Sequence, residues 1–136
     1  MPTPAPSHRG SCHCGRVAFE LDAPVAAVVE CNCSICRRRA ALWIGATDAQ
    51  LRIVAGEADL AEYRFGTNTA KHYFCRHCGI HPFARPRIAP DRWAVNARCI
   101  DGLDLRALTV VPFDGEHWDE AAPAFLAKLR ERAAAR

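Results

Sequence analysis

The chain has 136 residues, half of them hydrophobic and 24% charged, the composition of a single globular domain with a core of its own. No run approaches the roughly 20 apolar residues of a membrane span, and Met1–Ser11 is Pro-rich and polar, so neither an anchor nor a signal peptide is expected. Eight cysteines against one methionine fall short of the roughly 8–10% cysteine of disulfide-stapled secreted scaffolds, which implies a reducing, cytoplasmic setting and another use for the thiols.

In chain order, residues 1–9 read as a flexible polar leader. Arg16–Leu21 alternates with period two, as a half-buried strand does, and Val25–Glu30 reads as a second strand. Leu42–Ala46, Leu51–Ala55, Tyr63–Phe65, Lys71–Phe74, Trp93–Ala97 and Leu108–Phe113 continue a series of short strands punctuated by Gly and Pro. Only the tail, residues 119–136, reads as a helix. Ala122, Phe125, Leu126 and Leu129 share one face, with acidic Asp119 and Glu120 at its start and Arg130 and Arg132 near its end. The reading is a mainly β domain over residues 10–118, followed by one helix packed on it or extending from it.

Seven of the eight cysteines fall into three groups, Cys12-His13-Cys14, Cys31-Asn32-Cys33-Ser34-Ile35-Cys36 and Cys75-Arg76-His77-Cys78, with Cys99 alone. Cysteines two apart make awkward disulfide mates but good joint metal ligands. Paired soft thiolates select zinc, with an iron–sulfur cluster as the competing occupant. Four ligands close a structural zinc site, whereas three leave a position open for chemistry. Spacing alone leaves the pairing open. A ribbon of Cys33, Cys36, Cys75 and Cys78 would span a 38-residue loop, against about 15–20 in the usual pattern, and would strand Cys12, Cys14 and Cys31. The favoured partition is therefore Cys12, Cys14, Cys75 and Cys78 as the closed site and Cys31, Cys33 and Cys36 as the open one. Gly15 and Gly79 each follow a cysteine pair, where a positive φ lets the backbone curl around a metal.

Gly10-Ser11-Cys12-His13-Cys14-Gly15, Cys31–Arg37, Phe74–Ile80, Val95–Asp101 and Phe113-Asp114-Gly115 followed by Trp118 closely resemble the glutathione-dependent formaldehyde-activating enzyme family, which also contains centromere protein V. The resemblance implies a β-rich Mss4-like (β-tent) fold and two zincs per chain. It matches Cys12, Cys14, Cys75 and Cys78 to structural ligands and Cys31, Cys33 and Cys36 to catalytic ones. It also implies a carbon–sulfur lyase reaction run in the synthetic direction, joining glutathione and formaldehyde as S-(hydroxymethyl)glutathione.

Three thiolates on a divalent zinc leave one net negative charge, making a poorer electrophile than a zinc on neutral histidines. Binding a substrate thiol and lowering its pKa is the more natural role. Glutathione carries two carboxylates, so cations should line its site. Arg37, Arg38, Arg39, Arg85, Arg87 and Arg98 are candidates, with Arg87 and Arg98 favoured. His72 and His81 flank the second cysteine pair and read as structural residues or proton carriers, while His13 and His77 should point outward. Cys99 has three readings: a buried small hydrophobe, a reactive thiol near the open site that contacts substrate, or a fourth ligand closing it. Trp43, Trp93 and Trp118 read as core or pocket-wall aromatics.

Two other classes compete. The Arg37–Arg39 run and a pI of about 8.5 invite a nucleic-acid reading. However, the formal charge of +3 counts every thiol as neutral, two thiolate-zinc sites would remove about three charges, and no long basic arm is present. The other class is a zinc-stabilised module that binds glutathione or a partner without turnover.

Overall fold

A computed structural model describes residues 7–134. Ten strands form two sheets. β1 (Ser7–Ser11), β2 (Ala18–Asp22) and β5 (Leu51–Ala55) make an antiparallel three-stranded sheet in the order β1-β2-β5. The larger sheet has seven strands in the order β10-β3-β4-β9-β8-β7-β6. These are β3 (Ala27–Cys31), β4 (Trp43–Ala46), β6 (Leu60–Tyr63), β7 (Lys71–Cys75), β8 (Phe83–Arg85), β9 (Trp93–Asn96) and β10 (Thr109–Phe113). Only β10 and β3 run parallel; the other neighbours are antiparallel. This is the mainly β, Mss4-like architecture that the resemblance implied, and no helix in the described residues is long and apolar enough to cross a membrane.

The core lies between the sheets. Val17, Phe19 and Leu21 on and beside β2 and Val28, Phe83 and Val95 on the larger sheet are fully buried. Phe19 meets Phe83 edge-on at 5.8 Å, and Phe83 meets Trp93 edge-on at 5.4 Å, geometries that aromatic quadrupoles favour. Gly10 bridges to Ile100 where the two sheets meet. A side chain at Gly10 would overlap the Phe19 ring and the Cys99 carbonyl.

Strand β5 has the range expected from sequence, β4 begins one residue later than expected, and the others with counterparts differ by one to a few residues. Residues 7–9 of the expected leader belong to β1, while residues 1–6 lie outside the described residues. The Ser-His-Arg-Gly-Ser segment has no apolar alternation because it is the sheet's edge strand with a single buried position, so pairing with β2, not burial, forms it. The expected strand Tyr63–Phe65 lies earlier, at Leu60–Tyr63, set by pairing of Leu60 with Cys75 and Tyr63 with His72. The expectation of a helix only in the tail is corrected by α1 (Cys36–Arg39), a single turn ended by Ala40 in the left-handed region at φ 53°.

Helix α2 (Trp118–Ala134) carries the expected stripe: Ala122 is buried, and Phe125, Leu126 and Leu129 are half-buried. Phe125 packs edge-on against Phe113 of β10 at 5.0 Å, so the helix is docked on the strand that precedes it.

Candidate metal centres

All eight cysteines are free thiols. The structure brings Cys12, Cys14, Cys75 and Cys78 together, with ligand atoms all within 4.8 Å of one another. Cys12 Sγ and Cys14 Sγ are 3.6 Å apart, as are Cys14 Sγ and Cys75 Sγ. Four sulfurs at about 2.3 Å from a tetrahedral zinc stand about 3.8 Å apart, so the cluster fits that ion. Each pair sits on a tight turn. Gly15 N–H donates to the Cys12 carbonyl and Gly79 N–H to that of Cys75. Both glycines have the expected positive φ, 81° and 77°. Val17 N–H and His77 N–H donate to the sulfurs of Cys12 and Cys75. Burial pushes the Cys75 thiol up to about 11. Burial opposes ionisation of Cys78 too, but backbone N–H groups of Ile80 and Cys14 bring it down to about 6. Such a mixture of shared protons among crowded sulfurs is what a divalent cation displaces.

Cys31, Cys33 and Cys36 form the second cluster, again within 4.8 Å of one another. Cys31 ends β3, the chain turns at Cys33, and Cys36 opens α1. The turn is closed by Arg37 N–H on the Cys33 carbonyl and Ala40 N–H on that of Cys36. Arg98 Nε donates to the Ala40 carbonyl at 2.8 Å, supporting the left-handed cap. Hydrogen bonds from Cys31 and Cys33, reinforced by Arg39, hold the pKa of the Cys36 thiol far below its ordinary range. The Cys31 thiol is correspondingly held up by its donation to Cys33 and Cys36. No fourth His, Cys, Asp or Glu joins this cluster among the described residues.

One side of the triad is covered by the turn after β10. Asn32 Nδ2 donates to Asp114 Oδ1, and Glu116 N–H donates back to Asn32 Oδ1, each at 2.9 Å. Gly115 fits there because a side chain would overlap Cys31 Sγ and crowd Cys33. Beside the triad lies a groove of about 470 Å³ lined by Ile35, Arg38, Arg39, Tyr63, Phe74, Gly79 and His81. Arg39 reaches from it to Cys36 Sγ at 3.4 Å. His81 Nδ1 accepts from Arg39 at 3.3 Å, and burial, with Arg39, lowers the His81 pKa. The imidazole is therefore neutral and keeps its proton on Nε2. Buried Asn96 fixes this wall, donating to the His81 carbonyl at 3.0 Å and accepting from Leu42 N–H.

The favoured substrate-binding residues lie elsewhere. Arg87 stacks over Trp118 at 3.8 Å, Arg98 is committed to Ala40, and none of Arg87, Arg98 or Cys99 lines the groove. Cys99 is buried in the main core with its S–H directed at the His81 carbonyl. Burial and the charges of Cys12 and Cys78 push its pKa up to about 12. It stays a thiol and does not belong to either cluster. His72 is 6% exposed, stacked on Phe65, with neither ring nitrogen hydrogen-bonded. His13 is exposed, and His77 is held at Asp59 at 2.8 Å and belongs to neither cysteine cluster. The residues that sequence reasoning missed are Asn32, Asn96, Asp114 and Gly115. The quoted motifs contained all four but offered no sign of their contacts.

The family model for the glutathione-dependent formaldehyde-activating enzyme matches residues 7–112. A solved structure of a Rhodobacter sphaeroides protein, described only as a structural-genomics target, is 43% identical over 76% of this chain and 97% of its own, with a TM-score of 0.69. The match spans both cysteine clusters and nine of the strands in full, and the chain belongs to the glutathione-dependent formaldehyde-activating enzyme family.

Proposed function

We propose that the protein is a zinc-dependent, carbon–sulfur lyase-like enzyme that joins a thiol such as glutathione to a small aldehyde, giving an adduct of the S-(hydroxymethyl)glutathione type. The observation that carries this reading is a cluster of three sulfurs, with no fourth ligand among the described residues, opening beside a groove that carries two arginines. Cys12, Cys14, Cys75 and Cys78 would hold a structural zinc, and Cys31, Cys33 and Cys36 a catalytic one. When bound, the second zinc supplies a Lewis acid that favours the thiolate form of a thiol reaching the open position.

The chain's own residues do the rest. Arg38 offers its guanidinium group to a substrate carboxylate. The thiolate sulfur bonds to the aldehyde carbon, the carbonyl π pair moves to oxygen, and the proton released by the thiol is returned to that oxygen. His81, neutral and protonated at Nε2, is the donor in the groove for the developing alkoxide.

Native mass spectrometry with reduced glutathione, together with the rate of adduct formation followed by NMR exchange, tests the reading. Two zincs, one glutathione adduct that disappears in Cys33→Ser, and a rate above the uncatalysed one are expected. An adduct without acceleration would leave a binding module, and no adduct would refute the substrate.

A further inference from the structure

We propose that Arg39 and Trp43 are positioning residues that set the charge of the triad through Cys36, so that the cluster accepts a further anionic sulfur. The three sulfurs are not equivalent. Cys31 Sγ receives the backbone N–H of Cys33, and Cys33 Sγ that of Cys36, both at 3.5 Å. Cys36 Sγ instead receives two side-chain donors, Arg39 Nη2 and Trp43 Nε1, each at 3.4 Å. One of these donors carries a full positive charge and the other is a buried indole on β4.

The guanidinium is fixed on three sides: it lies 4.6 Å over the Trp43 ring, donates to His81 Nδ1 and donates to Cys36. His81 cannot compete for the proton, because arginine only donates. Cys36, Trp43 and Arg39 are all buried or half-buried, so water screens the Arg39 charge poorly. By contrast Arg16, the cation beside Cys14 of the closed cluster, is solvent-exposed.

Two consequences follow from elementary electrostatics. N–H donors draw electron density from a thiolate, which makes Cys36 the least donating of the three sulfurs. The guanidinium also cancels the single net negative charge that three thiolates leave on a divalent ion. A fourth thiolate then joins a neutral assembly, where otherwise it would meet a negative one. This second consequence rests on the function proposed above; the first does not.

Cobalt(II)-loaded protein tests both, since the thiolate-to-metal absorption band reports sulfur donor strength directly. Wild type, Arg39→Met, Arg39→Lys and Trp43→Phe are compared, with metal content counted in each. Without added thiol the band should move to lower energy in Arg39→Met and Trp43→Phe and stay nearer wild type in Arg39→Lys. Glutathione affinity should fall about tenfold in Arg39→Met and recover in Arg39→Lys. If Arg39→Met does not fold, Trp43→Phe reads the same band, because it keeps an aromatic ring beneath Arg39 and removes the N–H donor to Cys36. A wild-type band position in Arg39→Met and Trp43→Phe overturns the proposal. Failure of wild type to bind glutathione refutes the proposed function alone, because the band is read before thiol is added.

Discussion

Replacing Gly115 by alanine is the smallest change that should separate the two clusters. The new Cβ would overlap Cys31 Sγ and stand 3.0 Å from Cys33 Cβ and 3.4 Å from Cys33 N. Gly115 is not among the positive-φ residues, so its backbone accepts alanine and the conflict is one of contact. Relieving it takes a displacement on the order of 1 Å, since heavy atoms settle at about 3.5–4.0 Å. Metal–ligand distances tolerate about 0.2 Å. The turn cannot simply back away: its hydrogen bonds to Asn32, the residue between Cys31 and Cys33, would drag that segment with it. Overpacking of this kind costs about 1–3 kcal/mol, so the fold should survive with Tm lowered by about 3–10 °C. Affinity for the second metal should fall about 10- to 100-fold, the usual cost of disturbing ligand support. Native mass spectrometry against a competing chelator, with thermal unfolding alongside, reads both quantities. Gly45→Ala is the control, because its nearest new neighbour is the Arg92 guanidinium at 3.9 Å. A Gly115→Ala protein that holds two metals with wild-type affinity would refute the reasoning.

Cys75→Ser should give insoluble or protease-sensitive protein, whereas Cys36→Ser should fold with one metal. Equal damage in limited proteolysis would contradict the division of the clusters. His72 should make the fold acid-sensitive. Burial, with the Arg39 charge, lowers its pKa from 6.5 to about 4, so above pH 6.5 neither state carries the proton and the residue contributes nothing. Between pH 6.5 and 4 the unfolded chain takes up a proton that the fold refuses, and stability drops by up to about 3 kcal/mol. Denaturant titrations of wild type and His72→Phe should diverge in that window as the wild type loses stability that the variant keeps, and parallel curves would exclude the effect. Gly10→Ala should cost about 2–4 kcal/mol, read as a loss of Tm, because its side chain has nowhere to go between the Phe19 ring and the Cys99 backbone. An unchanged Tm would show that the sheets separate easily at that point.

The cysteine partition was legible because ligand chemistry is local: residues two or three apart on a turn must share a site, and counting four against three divides the rest. Strands β4 and β5 were legible from short apolar runs with clear breaks. β1 was not, because an edge strand with one buried position carries no periodicity, and its one informative residue, Gly10, signals contact with β2 only after folding. β8 is three residues long, beneath the reach of any pattern, and it holds its place by pairing between β7 and β9. The surroundings of the triad were least legible. Arg39 was visible as one of three consecutive arginines, but its choice of Cys36, Trp43 and His81 depends on α1, β4 and the segment after β7 meeting in space. Arg98, favoured as a substrate cation, supports through its Nε the Ala40 cap of the helix that carries Arg38 and Arg39.

The two clusters differ most in what they tie together. Cys12 and Cys14 follow β1 of the small sheet and Cys75 ends β7 of the large one, so a metal there would join the sheets across a sequence separation of 61 from Cys14 to Cys75. The triad lies within six consecutive residues, from the end of β3 to the start of α1. A cross-link restrains the unfolded chain more as its loop lengthens: about 4 kcal/mol for a loop near 60 residues and about 2 for one near six. A metal held by the first cluster would therefore stabilise a long-range contact between the edge strand β1 and β7 of the other sheet, which do not pair with each other. The second constrains little beyond its own turn. An ion there can keep an open position and exchange ligands without the fold depending on it, which is the condition a chemical site needs and a structural site cannot meet.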